Sequence, residues 1–223
     1  MSVQVLSVIQ DTAAKIGDPA FSQITVAEYL AWANQRARKL CVRMNLVKWV
    51  AFADINADDE VYAEPDDCIQ LTRLQFSPTP TDPRTFRDLS SYFADEFRAR
   101  VNWNYPVGDP DSYFADQGFL YLVGRPVADL SQALKIEYWG LPTDMTNAYT
   151  DKVPLADTVR DLLADGMEID ALWKLEKRDE SLRAAAVWEA NIGAIRPKLE
   201  MRSTDRRSSV RVSRGGARTW RAV

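Results

Sequence analysis

Eight of the chain's eleven prolines fall between Lys48 and Lys152, and that placement decides where long helices can run. Proline lacks a backbone N–H and its ring clashes with the preceding turn. Pro65, Pro78, Pro80, Pro83, Pro106, Pro110, Pro126 and Pro142 therefore exclude extended helix from the middle of the chain. Apolar steps of three and four residues, the mark of an amphipathic helix, are confined to the two ends.

The N-terminal end predicts two helices. In the first, near 2–16, Val5, Leu6, Ile9, Ala13 and Ile16 share a face, and Gly17, Asp18 and Pro19 stop it. The second, near 25–47, opens on the capping box Thr25-Val-Ala-Glu28. There the Thr hydroxyl satisfies a free N–H and the Glu carboxylate reaches back. Tyr29, Leu30, Ala33, Ala37, Leu40, Cys41 and Met44 continue its apolar face. The C-terminal end predicts two more, near 154–178 and 180–201. Pro154 suits a first helical position, and Leu155, Val159, Leu162, Leu163, Met167, Ile169 and Leu172 follow. Leu182, Ala185, Ala186, Ile192, Ile195 and Leu199 form the last stripe, with Trp173 and Trp188 available for packing.

The middle reads as strand. Leu134-Lys-Ile-Glu-Tyr-Trp139 alternates apolar and polar, as a half-buried strand does. Phe119-Leu-Tyr-Leu-Val123 lies between Gly118 and Gly124 and reads as a second strand, with Asp129 to Gln132 as the turn joining the two. Cys68 to Phe76 slips in phase and suits a bulged strand, and Arg84 to Arg100 has room for a short helix. The fold class expected is α+β. A four-helix bundle from 1–48 plus 153–202 carries an inserted small antiparallel β domain, 49–152, and an extended C-terminal arm, 203–223.

Composition narrows the chemistry. The chain has no histidine, the commonest general base and metal ligand. Cys41 and Cys68 are too few for a metal cage and read as small buried hydrophobes. No GxxxxGK[ST] or GxGxxG phosphate cradle occurs, and Ser90, Ser91 and Ser112 stand in no nucleophile elbow. Asp54-Ile-Asn56-Ala-Asp58 begins like a calcium loop. The required glycine is Asp59, however, and the bidentate glutamate is Pro65, so an acidic surface turn is the better reading. Glu64, Asp66, Asp67, Asp109 and Asp111 read as solvated loop charges. No catalytic residue, cofactor or metal is expected. No apolar run reaches the roughly 18 residues of a membrane span. The opening MSVQVLSVIQDTAAKIG lacks the basic start of a secretory signal. The expected setting is a cytoplasm.

Charge divides the chain. From Arg196 onward there are nine Lys/Arg against Glu200 and Asp205, whereas the first 195 residues hold 19 basic and 30 acidic groups. The tail after Met201 has few apolar anchors and is expected to be flexible alone. Arginines interleaved with Trp220 suit nucleic acid by phosphate contact and stacking, or acidic protein grooves by bidentate pairing. Protein docking is favoured because the acidic body repels DNA; a nucleic-acid-binding protein using this tail is the alternative.

The order of these features is similar to the head-to-tail adaptor (connector) proteins of tailed bacteriophages. A capped helix opening ThrValAlaGluTyrLeuAlaTrpAlaAsn leads to Trp49, then to Tyr62-Ala-Glu-Pro65-Asp66-Asp67-Cys-Ile. Pro110-Asp-Ser-Tyr113-Phe114, Arg125-Pro126, Leu134-Lys-Ile-Glu-Tyr138-Trp139-Gly-Leu-Pro142 and Val153-Pro154-Leu155-Ala156 follow in turn. The resemblance covers Thr25 to Met201. It implies a virion structural protein of the head–tail neck, assembled in the host cytoplasm and not an enzyme. It also implies a homo-oligomeric, twelve-fold ring under the portal protein. The ring would receive a tail, nozzle or stopper protein below and pass DNA without binding it specifically. Arg206, Arg207, Arg211, Arg214, Arg218 and Trp220 are the portal-docking residues the resemblance implies.

Overall fold

The computed structural model describes residues 3–79, 85–92 and 107–197. It is α+β, with four helices and two four-stranded sheets among those residues. The chain divides into two compact units. One takes residues up to Met44 and from Pro142 onward; the other is Asn45–Leu141.

In the first unit, α1 (Val5–Ile16) buries Val5, Val8, Ile9, Ala13 and Ile16. It ends where Gly17 turns left-handed, at φ 83°, a conformation glycine adopts without a Cβ penalty. The Asp18 N–H then donates back to the Ala13 carbonyl at 2.9 Å. The Asp18 carboxylate accepts from Ser22 Oγ at 2.6 Å and from the backbone N–H groups of Ser22, Gln23 and Ile24. These bonds, the Ser22 hydroxyl first, outweigh burial and hold Asp18 near a pKa of about 2 instead of 3.8. A depressed carboxylate contributes stability above its unfolded pKa and loses it as the pH falls toward the folded value. Acid titration should therefore weaken this unit between about pH 4 and pH 2. Asp18→Asn should flatten that part of the pH–stability curve, read by circular dichroism; an unchanged slope would refute the assignment.

The capping box forms as the spacing predicts. The Thr25 N–H and hydroxyl both donate to Glu28 Oε2 at 3.0 Å, and the Glu28 N–H faces Thr25 Oγ at 3.4 Å. The helix behind it, α2 (Val26–Met44), ends three residues earlier than expected. Asn45 takes φ 51°, and Val47 already begins a strand.

A 3-10 turn, Asp157–Val159, precedes α3 (Arg160–Lys174), so Pro154 and Leu155 lie outside the helix that the sequence extends over them. The break to the last helix comes at Leu175–Lys177, where Glu176 has φ 60°, and α4 is described over 178–197. α3 packs on both α1 and α2. α4 docks through Trp188, whose indole Nε1 donates to the Leu162 carbonyl at 2.7 Å, and through Ser181, bonded to the Ile169 carbonyl at 3.0 Å. Leu182, expected on the buried stripe, is 62% exposed, and Trp173 is also exposed. Ile192 and Trp188 are buried as expected, and Ser181 is buried with them.

One polar constellation ties α2, α3 and α4 together. The buried Arg36 guanidinium pairs with Asp170 through Nε–Oδ2 at 2.7 Å and Nη2–Oδ1 at 2.6 Å. Its flat face lies 5.1 Å from the Trp188 ring centroid, a cation–π arrangement. Gly166 allows this approach: a Cβ there would come within 3.1 Å of Arg36 and 3.2 Å of the Trp188 Nε1.

In the second unit, β1 (Val47–Ile55), β8 (Leu130–Gly140), β3 (Cys68–Phe76) and β4 (Arg87–Asp88) form one sheet in that order. The other sheet is β2 (Val61–Ala63), β7 (Phe119–Val123), β6 (Ser112–Asp116) and β5 (Ser90–Ser91). β3 carries two register shifts against β8, between Cys68 and Gln70 and between Leu71 and Arg73, so it is the bulged strand expected.

Two expectations are overturned. Asp129–Gln132 does not join β7 to β8 as a hairpin turn, because the two strands belong to different sheets. The insertion is not purely antiparallel, since β5 pairs parallel with β6. Within the stretch with room for a short helix, 87–88 and 90–91 are short strands, and 84 and 93–100 lie outside the described residues. The two sheets share one core built from Ile55, Leu74, Phe76, Leu120, Leu122, Leu134, Ile136 and Tyr138.

Candidate assembly surfaces

Arg206, Arg207, Arg211, Arg214, Arg218 and Trp220 lie outside the described residues, so the surfaces available for reading are those of the two units.

Several carboxylates around the acidic turn after β1 are hydrogen-bonded within the fold. Asp129 Oδ1 accepts the Ala57 N–H at 2.7 Å, and Asp59 Oδ2 accepts from the Asn56 side-chain amide, Nδ2, at 2.9 Å. Asp54 Oδ1 accepts the Gln132 N–H at 2.6 Å. Among the described residues no group of three or more His, Cys, Asp or Glu could hold a metal ion. In the second acidic stretch, Asp67 accepts the Tyr138 hydroxyl at 2.9 Å. Burial, with Glu64 and Asp67 nearby, pushes the Cys68 thiol up to about 11. Burial alone pushes Cys41 up to about 12. Both thiols stay protonated near neutrality and are poor nucleophiles.

Even so, the second unit is strongly acidic: residues 45–141 hold 16 Asp/Glu against 8 Lys/Arg. Such a surface repels nucleic-acid phosphate and attracts basic segments.

The outer face of the β1–β8–β3–β4 sheet is organised differently. Glu137 sits between Lys48 Nζ at 2.7 Å and Lys135 Nζ at 3.0 Å. Lys135 continues to Gln75 Oε1 at 3.1 Å, and Gln75 to Asp88 at 2.7 Å. Arg73 closes the row with two bonds of 2.7 Å to Asp88. Burial works to raise the Glu137 pKa, but the two lysines outweigh it and hold the carboxyl below its ordinary value. Alongside this row, Val50 and Phe52 of β1 are 48% and 49% exposed, and the Phe86 ring lies 6.0 Å from that of Phe52.

In the helical unit, a groove of about 560 Å³ runs along α2, lined by Gln35, Arg38, Lys39, Val42, Arg43 and Asp144. Arg38 is paired with Asp144 at 2.5 Å and Arg43 with Glu189 at 2.6 Å, so most of its positive charge is met within the unit. Among the described residues no helix is long and apolar enough to cross a membrane.

On these surfaces Asp54, Asp59, Asp67 and Asp129 are hydrogen-bonded within the fold, and both thiols are held protonated. Sequence reasoning found the acidic loops but missed the Val50–Phe52 patch, because an apolar residue on both faces of a strand gives no alternation to read. Compared with known families, the chain matches the model described as SU10 adaptor protein over residues 3–215. No curated protein matches it.

Proposed function

The chain belongs to the SU10 adaptor protein family of phages, and from that premise we propose that it forms a ring that joins the portal to the tail and extends the DNA channel. A phage adaptor is a structural component of the virion. The observation that carries the reading is the extent of the match: it spans both compact units and not one fragment of either. In this reading the four helices act as one bundle, the β insertion is its appendage, and the arm 203–223 is a separate docking element.

Two features support the finer picture. The acidic β unit suits a wall past which DNA moves without sticking, because like charges repel along the phosphate backbone. The basic arm suits docking on an acidic groove of the portal, through Arg206, Arg207, Arg211, Arg214, Arg218 and Trp220. The family match reaches residue 215, so Arg206 to Arg214 fall inside it and Arg218 and Trp220 beyond it.

Deleting 203–223 tests the docking role. The truncated chain should keep its circular dichroism spectrum and fail to enter particles, leaving heads without tails in electron micrographs. Complete tailed particles built from truncated protein would end the docking assignment. The alternative, nucleic-acid binding by the same arm, requires a gel shift that weakens with salt and vanishes with the deletion.

A further inference from the structure

Sheet edges are places where a backbone can recruit another strand, and natural proteins blunt them with short strands, charges, prolines or bulges. Among the described residues, three of the four edge strands are blunted by length: β2 has three residues, and β4 and β5 have two each. β1 is different. It is an edge strand of nine residues, pairing only with β8 among the described residues. From Trp49 to Ala53 it carries no charge, proline or glycine, and its register shift comes after Ala53.

The residues β1 presents on its exposed face read Lys48, Val50, Phe52 and Asp54. That order is self-complementary. If two copies of β1 run antiparallel with Ala51 opposite Ala51, Lys48 of each faces Asp54 of the other, and Val50 of each faces Phe52 of the other. Directly opposite residues on one face are the pairs that stabilise a sheet. Sliding by two residues in either direction breaks the match, setting a charge opposite an aromatic ring or an apolar side chain. Lys48 is 47% exposed at its side chain although it touches Glu137. The bonds to Ser131 and Gln132 use only Oδ1 of Asp54.

We infer that β1 is a self-association edge, on which a second copy of this chain adds its own β1 antiparallel, centred on Ala51. The pair is closed by a two-fold axis and cannot propagate. It is thus a form of the free chain, distinct from the head-to-tail contacts that a ring requires, and it stands or falls apart from the adaptor reading. The patch is small, so the dimer should be a weak one.

The test uses the full chain in sedimentation velocity across a micromolar concentration series. A monomer–dimer equilibrium is expected. Lys48→Asp or Asp54→Lys alone should weaken it at least tenfold, and the two together should restore it, because the charges then meet again with their signs exchanged. A second readout keeps the fold untouched. In a Cys68→Ser background, chain with Val50→Cys mixed with chain carrying Phe52→Cys should form a disulfide-linked dimer on oxidation, and neither alone should do so efficiently. A chain that stays monomeric at every concentration overturns the proposal. So does a dimer that cross-links without regard to register, that the charge exchange fails to rescue, or that disappears when 203–223 is deleted, which would make the arm the occupant.

Discussion

Phe76→Ala should speed hydrogen exchange of the β8 amides by close to three orders of magnitude. The side chain is fully buried at the end of β3. It stands opposite Leu134 in the β3–β8 register, and Leu134 is itself fully buried. Removing a buried phenyl ring costs about 4 kcal/mol, because the transfer energy is lost and the remaining cavity only partly collapses. Each 1.4 kcal/mol is about a factor of ten in an opening equilibrium. The Arg87 guanidinium, 5.3 Å from the ring centroid, loses that ring contact as well. Phe76→Leu, which keeps most of the volume, should cost about 1 kcal/mol. Exchange at Leu134, Ile136 and Tyr138 reads the effect where it originates, and amides of β7 extend the test. Both sheets draw on the same core, so β7 should be exposed along with β8. If β8 opens and β7 stays protected, the two sheets are held by separate cores and the description above is wrong.

That shared core also shows where the sequence stops being readable. The strands β7 and β8 are legible one at a time, since each carries its own pattern of apolar residues. Their partners are not. β1 meets β8 with Val47 opposite Gly140 and Ala53 opposite Leu134, a pairing across most of the insertion that no local signal encodes. Neighbours in sequence pair often enough to make the hairpin between 119 and 139 the natural guess, yet Gln132 at φ 48° lies within β8 and not in a connecting turn. β1 itself carries no strand signal in the sequence, because Val50 and Phe52 fill positions where a half-buried strand ordinarily shows polar groups. The same two residues are what make its edge a candidate for self-pairing. Where a cap is encoded in a few adjacent residues the reading holds: Gly17 stops α1 and Thr25 with Glu28 starts α2. α4 is periodic, but periodicity does not say which face is buried. The side chain that decides it is Trp188, seated on the Leu162 carbonyl; Leu182 faces away.

The largest effect expected in the helical unit comes from the charge beneath that tryptophan. Arg36 has a side chain only 9% exposed, and Asp170, its partner, is 22% exposed. Asp170→Ala leaves a guanidinium with its α2–α4 surroundings intact and its counter-charge gone. An uncompensated buried charge of this kind costs about 3 kcal/mol. Arg36→Met should cost less, because the carboxylate it abandons can turn to water while the methionine still packs on Trp188. The double change, Arg36→Met with Asp170→Leu, should lie closer to the wild type than Asp170→Ala does, because replacing both charges by apolar groups of similar size removes the desolvation cost along with the attraction. Urea unfolding followed at 222 nm, in the amide band of far-ultraviolet circular dichroism, gives the three midpoints. The predicted order is a statement about electrostatics: the loss follows which charge is left behind, not how many atoms are removed. If the two single variants lose the same amount, the loss follows the breaking of the pair and not the charge left behind, and this electrostatic reading fails.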